Sequence, residues 1–72
     1  LHSFFVVEMH RGGRCPVLYL ANRFTGKCVA KLVLADRFET RAEASEACME
    51  WDSPRYHPVV RECGPRLVVG RN

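Results

Sequence analysis

"GKCVAKLVLADRFETRAEASEACMEW", residues 26 to 51, changes its period halfway along. From Gly26 to Leu34 the side chains alternate, with Lys27, Val29, Lys31 and Val33 on one side and Cys28, Ala30, Leu32 and Leu34 on the other. A strand places successive residues on opposite faces in this way. From Thr40 onward the spacing is helical. Ala44, Ala47, Cys48 and Trp51 follow i, i+3, i+4, i+7 and form one buried stripe. Thr40 and Glu43 have the spacing of a capping box, in which each side chain satisfies a free donor at the helix start. Small alanines on the stripe let the helix approach a sheet closely, with Trp51 filling its far end. Glu43, Glu46 and Glu50 fall largely away from the stripe.

Upstream, "CPVLYLAN" (15–22) reads as the strand that pairs with the alternating stretch. A three-residue loop of Phe24, Thr25 and Gly26 puts Gly26 where a left-handed residue is required. That loop pairs Arg23 with Lys27, Ala21 with Val29, Tyr19 with Lys31 and Val17 with Val33. The other face pairs Asn22 with Cys28, Leu20 with Ala30 and Leu18 with Leu32. One face is then nearly all apolar and the other mixed and basic, whereas a one-residue slip scrambles both. "SFFVVEMH" (3–10) is an earlier strand, rich in β-branched and aromatic residues. "RGGR" (11–14) is the turn between them. Pro16 and Pro58 lack an amide donor and belong at strand starts or sheet edges. "DSPR" (52–55) ends the helix, because Pro54 disfavours helical geometry at Ser53. "YHPVVREC" (56–63) is a further strand, and "RLVVG" (66–70) reads as a short fifth.

The order β-β-β-α-β predicts one α+β domain over residues 1–72, a mostly antiparallel sheet with one helix on one face. The expectation is that the other sheet face stays open to solvent or a partner. A chain of 72 residues, 47% hydrophobic and 26% charged, is globular in composition. It buries only about 60% of its extended-chain surface, so its core is small. Little protein is left to build a substrate pocket and its supporting shell, which favours binding over catalysis. There is no secretory leader pattern, and no apolar run approaches the roughly 20 residues that span a bilayer. These features predict a cytoplasmic protein with reduced thiols and no membrane partner.

The candidates for chemistry are few. Cys15, Cys28, Cys48 and Cys63 contain no C-x-x-C pair to aim two sulfurs at one ion, so neither a metal nor another cofactor is expected. Cys28 and Cys48 face the core, where a thiol behaves as a small hydrophobe. Cys63 and His57 share one strand face but stand roughly 20 Å apart, too far for a nucleophile and its base. "RGGRCP" lacks the strand-to-helix setting of a phosphate-cradling loop. No catalytic residue and no small-molecule substrate is indicated.

The basic sheet face remains. Arg23, Lys27 and Lys31 line it, with Tyr19 beside Lys31, Phe24 at the hairpin tip, and Arg11 and Arg14 at the neighbouring turn. Cations can meet phosphates, and aromatic rings can stack on bases. Such lysines also serve simply to keep an exposed sheet soluble and unpaired.

The segments "GKCVAKL" and "FETRAEA", within residues 26–47, resemble plant AP2-type and phage-integrase arm-type DNA-binding domains. That family carries "GKW-x-A-x-I" on a strand and "F-x-T-x-EEA" leading into a helix. The resemblance implies a helix packed on three antiparallel strands, with the sheet laid in the major groove. It makes Arg23, Lys27 and Lys31 the DNA-facing residues, with Cys28 standing where the family carries tryptophan. The helix half also resembles small phage and prophage proteins. This implies an alternative, a non-catalytic accessory protein that grips and blocks a host protein, or a homodimer joined through a sheet edge. The two hypotheses differ in their surfaces. A DNA or RNA binder needs the basic face, whereas a protein binder needs an exposed apolar patch, expected around Phe4, Val6, Tyr19 and Phe24.

Overall fold

The computed structural model describes residues 3–64, so the fifth strand expected at 66–70 lies outside the described residues. Four strands and one helix follow in the order β1 (Phe4–His10), β2 (Leu18–Asn22), β3 (Lys27–Val29), α1 (Arg41–Trp51) and β4 (His57–Cys63). They form a sheet ordered β3-β2-β1-β4, in which every neighbouring pair is antiparallel. This is the α+β arrangement of one helix on an antiparallel sheet. Pro58 sits in β4, an edge strand, as its missing donor requires.

The turn glycines behave as expected, with φ of 82° at Gly12, 59° at Gly13 and 79° at Gly26. The β2–β3 register does not. Asn22 pairs with Lys27 rather than Cys28, and past an irregularity between Leu20 and Asn22, Leu20 pairs with Cys28 and Tyr19 with Val29. The loop is one residue longer than expected because Asn22 organises it. Its Oδ1 accepts from the Phe24 and Thr25 amides at 2.8 and 3.1 Å, while its carbonyl accepts from Gly26 at 2.8 Å. That extra residue shifts the tip by one, and the bulge supplies a second shift. Because side chains alternate with period two, Leu20 and Cys28 still reach the helix-side core.

The alternating stretch also stops early. β3 ends at Val29, and Leu32–Leu34 form a 3-10 turn rather than more strand. Leu32 and Ala35 from this turn pack with Val6, Cys63, Phe4 and Tyr19. They thereby cover part of the sheet face that was expected to be open. The chain then crosses between β1 and β2 toward the helix. The Asp36 amide donates to the Leu20 carbonyl at 2.9 Å, and Phe38 exchanges two 2.8 Å bonds with Phe5. Beyond the crossing, Phe38 is buried in the helix-side core with Val7, Met9, Leu20, Ala44 and Ala47. In so small a core, losing one such ring costs about 3–5 kcal/mol.

α1 begins with one half of the expected capping box: the Thr40 side chain accepts from the Glu43 amide at 3.1 Å, with no return bond to the Glu43 side chain among the described residues. Ala44 and Ala47 are its buried positions. Trp51 is only half-buried: it packs at the margin of the core, and its Nε1 donates to the Arg23 carbonyl at 2.9 Å.

Candidate functional site

The residues expected on one basic face separate into three groups. Arg23 is engaged within the fold. Its Nε and Nη2 each donate to the Asp36 carboxylate at 2.8 Å, its backbone amide donates to the same carboxylate at 3.1 Å, and Nη2 also reaches the Arg37 carbonyl at 3.0 Å. Its guanidinium lies 4.0 Å from the centre of the Phe38 ring. The hydrogen bonds from Arg23 hold the Asp36 carboxyl below the usual aspartate range, and Asp36 in turn raises Arg23. A fork–fork pair of this kind fixes the crossing segment to the hairpin. Asp36 lies 13 residues from Arg23 with no periodic relation to it, so no sequence signal marks the partnership.

Tyr19 forms the second group, half-buried beneath the 3-10 turn with Phe4. The expected apolar patch is therefore corrected: Val6 is wholly buried, and Phe4 and Tyr19 are largely covered. Of those four side chains only Phe24 stands free, at 84% exposure.

Lys27, Lys31, Arg11 and Arg14 are the third group. All four are exposed, and none forms a salt bridge among the described residues. Lys31 has left the sheet and precedes the 3-10 turn, so it does not pair with Tyr19.

Charge is divided along the chain. Residues 3–38 hold six cations and two acids, whereas 39–52 hold five acids and one cation. The acidic segment borders a feature that sequence spacing did not reveal. A groove of about 370 Å³ runs between the hairpin tip and the helix, lined by Arg23, Phe24, Phe38, Glu43, Glu46, Ala47 and Glu50. The glutamates, spaced i, i+3, i+7, occupy the flank of α1 beside Ala47, and Phe24 forms part of the lining from the hairpin. Sequence spacing sets these glutamates largely away from the stripe, and the wall that faces them depends on the hairpin.

The face opposite the helix carries a second polar cluster. Glu8 accepts from Arg61 at 2.8 Å and lies 3.0 Å from the His10 ring nitrogen. Burial pushes the Glu8 carboxyl up, but the hydrogen bonds and charges of Arg61 and His10 outweigh it and leave the group below its ordinary value. All four cysteines are free. Burial raises the Cys28 and Cys48 thiols, the latter with help from Asp52, which makes both poor nucleophiles. Among the described residues no three His, Cys, Asp or Glu side chains are grouped so as to hold a metal ion. Nor is any described helix long and apolar enough to cross a membrane.

No protein-family model matches the chain, and neither a curated protein nor a solved structure matches it. A reading of function therefore rests on the geometry.

Proposed function

We propose that this chain is a non-catalytic binding module that grips a partner protein through the β2–β3 hairpin tip and the adjoining flank of α1. The observation that carries this reading is Phe24, a large ring 84% exposed beside a groove floored by the buried Phe38 and Ala47. An isolated exposed apolar side chain is ordinary. Phe24 differs in the rigidity of its support: the Asn22 side chain fixes the loop from within, and Trp51 holds the adjacent Arg23 carbonyl. A ring held in advance loses little entropy on docking, and this is how aromatic anchors dominate interfaces. The half-buried thiols of Cys28 and Cys48, both raised by burial, support binding over catalysis, and the reading includes a cytoplasmic setting. A phage-type accessory protein that blocks a host protein would work through such a surface.

Peptide display on the immobilised protein, counter-selected against Phe24→Ser, tests this. Enrichment of peptides that bind the wild type and lose at least tenfold on Phe24→Ser supports the reading. Absence of any Phe24-dependent peptide overturns it.

A second reading, contact with nucleic acid, is favoured by the four exposed cations Arg11, Arg14, Lys27 and Lys31, which have no ion-pair partner among the described residues.

A further inference from the structure

The helix carries its charge against its own stability. The C-terminal end of a helix is the negative end of its dipole and favours cations. Here the last turn of α1 contains no basic residue, Glu50 lies within it, and Asp52 follows as the C-cap. Glu46 and Glu50 are also four positions apart, an arrangement in which like charges repel along a helix face. Neither Glu46 nor Glu50 forms a salt bridge among the described residues. Local rules broken in this way, beside a groove, mark a place where charge serves something other than folding.

The groove lining defines what that is. Its one cation, Arg23, is paired with Asp36 and also interacts with the charge of Glu43, which leaves Glu46 and Glu50 on the helix wall. Phe24, Phe38 and Ala47 supply apolar surface beside them. A ligand suited to this combination has an apolar stem and a cationic head, as an arginine or lysine side chain does. Its stem can lie against Phe24 and Ala47, with the positive head beyond the ring and within reach of the acids. Glu46 and Glu50, one turn apart, stand close enough for a single guanidinium to meet both.

We propose that this groove binds an arginine- or lysine-bearing segment of the partner protein, with Glu46 and Glu50 receiving the cation and Phe24 the stem. The inference rests on the reading of the hairpin tip as a protein-binding surface and adds the chemical class of the partner.

The test is a titration of the ¹⁵N-labelled chain with the peptide acetyl-Leu-Arg-Leu-Arg-amide, alongside its citrulline analogue, which keeps the shape and lacks the charge. The arginine peptide is expected to move the amides of Phe24, Glu46, Ala47 and Glu50, and to bind at least tenfold tighter than the citrulline form. Glu46→Gln with Glu50→Gln should erase that preference while raising the melting temperature of the free protein, so lost binding is not lost folding. Equal binding of both peptides, or no shift at those amides at millimolar peptide, overturns the inference. If display yields Phe24-dependent peptides that are neutral, the cationic class falls and the binding surface stands. If it yields none, both fall.

Discussion

Trp51 occupies the space that a side chain on Gly26 would need: a Cβ built there stands 2.6 Å from the Trp51 ring. Helix end and hairpin tip are thus fitted to each other, with Gly26 at φ 79° and the indole Nε1 bonded to the Arg23 carbonyl. Gly13 also has positive φ, at 59°, but open space around it. Gly13→Ala should therefore cost only the conformational term, about 1 kcal/mol. Gly26→Ala adds a steric clash and should cost about 3 kcal/mol or more. Urea unfolding followed by far-ultraviolet circular dichroism, which does not depend on the single tryptophan, measures both. In a Trp51→Ala background the Gly26 cost should fall toward the Gly13 value; equal costs in the two backgrounds would show that the ring is not the obstacle.

The Arg23–Asp36 pair predicts a pH dependence. The Asp36 carboxyl titrates below its ordinary value in the folded chain, and Arg23 is the main cause. Its contribution to stability is thus fully present above the unfolded aspartate value of about 3.9 and is lost as pH falls through the lower folded value. Asp36→Asn should cost about 1.5–3 kcal/mol at neutral pH, as expected for hydrogen bonds to a charged group. The stabilities of wild type and variant should converge below about pH 4. Urea midpoints measured from pH 7 down to pH 2.5 check this, and curves that stay parallel would remove the pair from the acid response.

These two relationships show what the sequence carried and what it withheld. The Thr40 cap, the Ala44–Ala47 stripe and the Gly26 turn are local, and propensity or spacing reveals them. The end of β3 was hidden because Lys31–Leu34 alternate as well as any strand. That stretch leaves the sheet, and Leu32 and Ala35 pack over Val6 instead of continuing along β2. Arg23 looked like a surface cation for the same reason: its partner Asp36 reaches it only after the chain crosses between β1 and β2. The groove required all of these contacts at once. Its acids read as a helix surface turned away from the stripe, and the ring facing them depended on a loop one residue longer than turn rules suggested.

The reassignment of Arg23 also changes what nucleic-acid binding should look like. Phosphate contacts release counterions, so affinity falls with salt in proportion to the number of cations engaged. With Arg11, Arg14, Lys27 and Lys31 available, log affinity for duplex DNA should fall with log salt at a slope of about 3–4 in magnitude. Lys27→Glu with Lys31→Glu should reduce that slope by about two. Arg23→Ala should leave the slope unchanged and instead lower the urea midpoint, because its guanidinium is held by Asp36 and the Arg37 carbonyl. Fluorescence anisotropy of labelled duplex and single-stranded DNA across 20–200 mM salt (roughly the range over which such slopes are resolved) provides the reading. A slope that drops with Arg23→Ala would return that residue to the binding face and put the Asp36 pair second to a phosphate. Absence of binding at the lowest salt would leave the hairpin tip and its acidic groove as the working surface.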